Sequence, residues 1–233
     1  MDYIIDDQFS QFFHCLKQSP ENGSIFNPWY DVDTINGRSK EGPVIRRRQF
    51  HHYLRERIDQ AQYLFVGEAP GYQGGHFTGI PMTSERILLG YKKDSGVLPE
   101  SVFREIPPER TSKNEIQPKG FTEPTATIVW GAIATNKIDP RKIVLWNMCP
   151  WHTFDPEKGY LSNRTPTINE LEKGLPALRE LQRLFPGIQL FAVGKSAFNL
   201  LQSHKIKCGE LRHPAHGGAP KFRKQFREIV VKE

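Results

Sequence analysis

Cysteine is scarce in this chain of 233 residues: Cys15, Cys149 and Cys208 stand far apart and form no CxxC pair. That excludes a disulfide scaffold and fits a reducing compartment. Long apolar runs are missing too; none approaches the roughly 20 residues a membrane-spanning helix needs. The opening MDYIIDDQFSQFF is acidic and has no basic stretch, so a cytoplasmic protein without a signal or transit peptide is expected. Two nucleotide signatures are also absent. The glycine and proline turn GEAPGYQGG carries neither GxGxxG nor GK[ST], and VGKS (Val193–Ser196) has no upstream glycine at phosphate-loop spacing. No internal repeat or low-complexity segment is present.

What the chain does have is ordinary globular composition with an uneven charge. Residues 1–33 hold six acids and one lysine, so with +6 overall the remainder carries +11. The excess concentrates in RRRQFHHYLRER (Arg46 to Arg57) and in the tail from Lys205, where eight Lys/Arg meet three Glu. A basic surface suits a polyanion such as nucleic acid. Basic helices are also commonly just solvated faces, so charge alone does not decide.

Periodicity predicts alternating helices and strands. DDQFSQFFHCLKQ puts Phe9, Phe12, Phe13 and Leu16 on one helical face, and RRRQFHHYLRERIDQ reads as a second helix. Short apolar strands are expected at QYLFVGE, KIVLWNMC, IQLFAVG and IKCGELRHP. Helices are expected at SERILLGYK behind Thr83 or Ser84, at TEPTATIVWGAIAT, at TPTINELEKGLPALRELQRLF with Thr165 as N-cap, at KSAFNLLQSH, and at APKFRKQFREIVV. Residues 92–124, rich in Pro, Lys, Glu and Ser, read as an irregular surface insertion. Strands alternating with helices imply a parallel sheet covered on both faces, with ligands at the carboxyl ends of the strands. Three polar clusters follow predicted strands directly: GEAPGYQGGHF, NMCPWH and RHPAHGG. In a parallel sheet they share one edge and form one site.

Two chemistries fit such an edge. Cys149-x-x-His152 and His213-x-x-His216 would supply four zinc-type ligands, though Pro150 and Pro214 interrupt both pairs. The other chemistry is recognition of a base. GEAPG (Gly67–Gly71) after a buried strand resembles the first motif of the uracil-DNA glycosylase superfamily, in the form carried by its fourth family. HFTG (His76–Gly79), WNMCP leading to NRTPTINEL (Trp146–Leu171), VGKSAFNLL and the HPA turn (His213–Ala215) are similar to the segments that follow, in the same order.

The resemblance implies a single domain over residues 1–233, with an N-terminal helical segment (1–60) and the 92–124 insertion. It implies a three-layer αβα fold around a mainly parallel four-stranded sheet, and a monomer that hydrolyses the N-glycosidic bond of a flipped base in DNA with no cofactor or metal. Phe77 would stack on uracil, and Asn147 would accept from N3–H and donate to O4. His213 would donate to O2 as negative charge builds, and the Gly67, Glu68, Ala69, Pro70 and Gly71 loop would line the base. His216, Gly217, Gly218, Lys221, Arg223 and Lys224 would meet the DNA.

The chain departs from that pattern in places. Ala69 stands where the best-known branch has a water-orienting carboxylate, which leaves Glu68 as the loop's only carboxylate. Gly71 replaces a tyrosine that excludes the thymine methyl, and three scattered cysteines cannot hold the fourth family's iron–sulfur cluster. A glycosylase for another deaminated base, hypoxanthine or xanthine, and a catalytically weak nucleic-acid-binding relative are the alternatives.

Overall fold

Apolar spacing builds the first element as expected: α1 (Asp7–Lys17) buries Phe9, Phe12, Phe13 and Leu16. The computed structural model describes residues 5–231; the outermost residues of the expected domain, 1–4 and 232–233, lie outside the described residues. Then follow β1 (Ile25–Phe26), α2 (Gly42–Arg55), β2 (Tyr63–Gly67), the short helices α3 (Gly75–Thr78), α4 (Glu85–Leu88) and α5 (Pro99–Val102), and α6 (Pro124–Thr135). The second half contains β3 (Ile143–Asn147), β4 (His152–Thr153), α7 (Ile168–Lys173), α8 (Leu175–Leu184), β5 (Gln189–Val193), α9 (Lys195–Ser203), β6 (Gly209–Leu211) and α10 (Ala219–Val230).

All four strands of the main sheet run parallel, in the order β3-β2-β5-β6. Neighbouring residues in register point to the same face, so Phe65 with Leu145, and Val66 with Trp146, mark the two sides. Phe65 meets Phe226 of α10 at 5.3 Å. Trp146 meets Phe12 of α1 at 5.3 Å and Phe50 of α2 at 6.0 Å. Helices therefore cover both faces, and the architecture is three-layered. A small antiparallel ribbon of β1 and β4, which the sequence did not announce, ties the N-terminal segment to the chain after β3.

Three expectations need correction. The helix expected from Thr165 starts after Thr167, which forms a capping box with Glu170, and it breaks at Gly174. Pro176 has no N–H for the carbonyl four residues back, and a Cβ on Gly174 would lie 1.7 Å from the Met148 carbonyl oxygen. Segment 92–124 is irregular but not superficial: Val97, Val102, Phe103, Thr111, Ser112 and Phe121 are all buried. The Glu85 carboxylate accepts from the Thr111 and Ser112 amides, both at 2.9 Å, and pins the segment inward.

The third correction concerns the basic stretch, which does not form a solvated face. Arg46 is buried against the carbonyls of Pro28 and Asp31. Arg57 is buried too and donates to the Tyr53, Val102 and Ile143 carbonyls at 2.7–2.9 Å. These guanidinium groups close backbone acceptors that helix and strand ends leave open. Burial pulls them down, to about 9 and about 10, so both stay cationic at neutral pH. Arg48 pairs with Glu109, and Arg55 with Glu105. Much of this positive charge is spent inside the molecule.

Candidate functional site

The parallel register delivers the turns after β2, β3 and β6 to one edge. A cavity of about 290 Å³ opens there, lined by Glu68 to Gly71, Glu123, Thr125, Thr153, Asn163 to Pro166, and His213. The ladder continues past the strands into this edge: Met148 N donates to the Gly67 carbonyl and Cys149 N to that of Glu68, both at 2.9 Å. Asn163 fixes the loop by accepting from Tyr72 N at 3.0 Å. Gly75 lets the loop fold back, since a Cβ there would lie 2.6 Å from the Pro70 Cβ. Among the expected loop residues, Glu68, Ala69, Pro70 and Gly71 line the cavity, while Gly67 closes the strand beneath it.

Asn147 ends β3 beside Gly67, with its side chain buried. A Cβ on Gly67 would sit 2.7 Å from Asn147 Oδ1, so the glycine makes room for this amide. Asn147 Nδ2 has no hydrogen-bond partner in the protein. A buried donor left open at a strand end calls for an explanation.

His213 follows β6 and is half-buried, its Cβ 3.2 Å from the Cβ position of Gly194. Its Nδ1 accepts from Ala215 N at 3.1 Å, so the neutral ring carries its proton on Nε2. Burial pulls His213 below its ordinary 6.5, Arg212 and His216 act the same way, and Glu68 opposes them. A neutral Nε2–H donor results near pH 7. The turn after it is tight: His216 and Gly217 adopt φ of 51° and 71°, and Gly218 N donates to the Ala215 carbonyl at 3.0 Å.

His76 and Phe77 do not line the cavity. His76 is buried in a chain of hydrogen bonds, with Nε2 3.0 Å from Asp33 Oδ2 and Nδ1 2.9 Å from His152 Nδ1; His152 Nε2 in turn lies 2.8 Å from the Ser162 carbonyl. Burial pulls His76 from an ordinary 6.5 to about 4, and its hydrogen bond with Asp33 opposes that shift. The chain braces the loop against residues near 33 and 152. Phe77 is fully buried, and one face of its ring is covered by Phe121 at 4.5 Å and 10°. A base stacking on Phe77 must use the other face or replace Phe121.

The expected DNA contacts divide. Lys221 lines a cleft with His213, Lys195 and Arg212. Arg223 and Lys224 face a separate groove with Arg227 against the end of α6. Lys195 and Arg212, which the sequence reading passed over, share that cleft with His213; the VGKS turn and the residue before the HPA turn were the signals. Glu123, Thr125 and Asn163 were missed as well. For Glu123 nothing local in FTEPTAT points to a site.

The zinc alternative finds no support. Cys149 Sγ donates to the Trp151 carbonyl, and burial pushes the thiol up to about 12, while His152 is committed on both nitrogens. Among the described residues no three His, Cys, Asp or Glu side chains converge as a metal centre would require. Likewise, no helix is long and apolar enough to cross a membrane.

A parallel three-layer α/β fold with open donors at the carboxyl ends of its strands defines a ligand-binding protein of the kind the sequence motifs suggested. A profile of the uracil DNA glycosylase superfamily matches residues 56–231, and the chain belongs to that superfamily. The solved structure of wild-type SMUG2 from Pedobacter heparinus is similar in fold, with a TM-score of 0.61 over 97% of this chain and 99% of that one, at 16% identity. No curated protein matches the sequence.

Proposed function

We propose that this protein excises uracil from DNA by hydrolysis of the N-glycosidic bond, as a monomer acting on a flipped nucleotide. The observation that carries the reading is the unpartnered Asn147 amide beneath the Gly67 turn. Its Oδ1 and Nδ2 match uracil N3–H and O4, a pattern that cytosine reverses, so the wrong base leaves a buried group unpaired. The C1′–N bond breaks with its electron pair passing to the base. Nε2–H of His213 donates to O2 as that charge grows, and water adds to the sugar carbon.

A second reading, excision of hypoxanthine or xanthine, is favoured by one feature. At Gly71 a Cβ would stand 3.6 Å from the Asn163 amide, so the wall there carries no side chain where the best-known branch of the superfamily has a tyrosine. Duplexes carrying uracil, hypoxanthine, xanthine or a thymine mismatch test both readings. Uracil is expected to be released fastest and thymine slowest. Preferred release of a purine would replace the first reading with the second, and binding without release of any base would leave a nucleic-acid-binding relative.

Affinity for duplex DNA should fall with salt at a log–log slope near −4 to −5, as for about four to six cations on phosphates. Replacing Lys221, Arg223 and Lys224 together by alanine should flatten the slope by up to about 3 units. A slope near zero in the unmodified protein would show that the exposed basic residues of α10 are only a solvated face.

A further inference from the structure

The loop after β2 has Ala69 where a water-orienting carboxylate would be expected, and a carboxylate arrives from another element. Glu123 stands at the N-terminal boundary of α6, at the end of the 92–124 segment, and lines the same cavity as Glu68 and His213. It is the N-cap residue, but its side chain makes no capping hydrogen bond. Its Oε2 is buried without a hydrogen-bond partner. That oxygen lies against Gly74, 2.0 Å from the position a Cβ would take, so only glycine at 74 admits it. Among the described residues no cation pairs with it. The charged and titratable groups that share its cavity are Glu68 from the turn after β2, His213 from the turn after β6, and Arg164. Arg164 is already spent on Glu170, through two hydrogen bonds of 2.8 and 2.9 Å.

A structural carboxylate is normally paired or capped, because burying one open is costly. Glu123 is neither, and it lines the cavity that Glu68 and His213 share. We propose that Glu123 is the catalytic base of this site, holding the attacking water and taking its proton. The proposal rests on the glycosylase reading above.

In the balanced step, the C1′–N bond breaks and its electron pair leaves with the base. A water oxygen then bonds to C1′, and one water proton passes to the Glu123 carboxylate. The base anion takes a proton from solvent, and Glu123 returns its own. The products are the free base and an abasic deoxyribose. In a closed site the base anion can recombine with the sugar cation unless water captures it first, so a group that presents and deprotonates water governs the net rate. Burial pushes the Glu123 carboxyl up to about 7, which suits a base working near neutrality.

The test is single-turnover base release against pH, from pH 5 to 9, with DNA affinity measured alongside. Wild type should lose activity on acidification with a midpoint near 7. Glu123→Gln should slow release at least about 100-fold and abolish that acidic limb, with DNA affinity unchanged, since a general base commonly contributes 10²–10⁴. Glu123→Asp should keep the limb at a reduced rate. Glu68→Gln should cost about tenfold or less and keep it too. An active wild type without such a limb overturns the proposal whether or not the variants fold. So does Glu123→Gln within about threefold of wild type, or slowed with the limb intact. A wild type that releases no base from any substrate brings down the glycosylase reading, and this proposal with it.

Discussion

Alanine at His213 or at Asn147 is expected to lower single-turnover uracil release by at least tenfold, and by as much as 10²–10³ where one oxyanion donor worth about 2.7–4 kcal/mol is lost. In the proposed reaction the two residues act on the same developing charge from different strands. His213 reaches the site from the end of β6 with Nδ1 occupied by Ala215 N, which leaves Nε2–H as its donor. Alanine removes that donor. Asn147 reaches the site from the end of β3 with Nδ2 unpartnered, so its deletion costs the protein no internal hydrogen bond from that donor. Both variants should therefore fold and bind DNA, and the loss should appear in the rate of the chemical step rather than in affinity. Asn147→Ala should in addition narrow the preference for uracil over cytosine. Near wild-type rates in both variants would remove the site assignment.

The second large effect is on stability in acid. His152 is buried between His76 and the Ser162 carbonyl. Burial, with His76 beside it, pulls it from an ordinary 6.5 to about 3. The unfolded chain then takes up a proton at 6.5 that the folded chain refuses until about 3. The stabilisation is fully present above 6.5 and drains as pH falls through that window, by on the order of 5 kcal/mol at about 1.4 kcal/mol per unit. Asp33 acts in the same direction lower down. Burial pushes it up, but the hydrogen bonds from His76 and from Asn36 outweigh that and hold it near 2 against an ordinary 3.8. Its contribution is lost as pH falls between those values. Urea unfolding at pH 7.5, 5.5 and 4.5 should show a midpoint that drops steadily. A midpoint unchanged down to pH 4.5 would mean that His152 is protonated in the folded state.

The edge of the sheet was legible in the sequence because strand ends are marked locally. YLFVG and IVLWN are too short and too β-branched for helices, and each runs straight into a polar turn. Since all four strands proved parallel, the order of motifs along the chain was enough to bring Glu68 and His213 to one cavity, while Asn147 ends β3 beside Gly67 and does not line that cavity. Other features depend on distant partners and leave no local mark. Arg46 and Arg57 look like surface cations until the Pro28, Asp31, Ile143 and Val102 carbonyls are placed around them. Phe121 and Glu123 look like the end of a surface loop until Phe77 and Gly74 are found against them. The split between α7 and α8 was visible in principle as Gly174 and Pro176, but its cause is the Met148 carbonyl from β3's exit.

The strand order β3-β2-β5-β6 has a consequence for how the protein comes into being. The first strand made is an inner one, and it must wait for neighbours separated from it by whole helices and by the long 92–124 segment. Pairings of that sequence separation are slow to form. The donor His213 follows the outermost strand, which docks only onto β5, itself docked only onto β2. The cavity thus has no local precursor: a chain with its loop and its Glu123 in place still lacks His213. Base release as proposed above would report completion of the entire parallel sheet, and partly folded chains would leave the glycosidic bond intact.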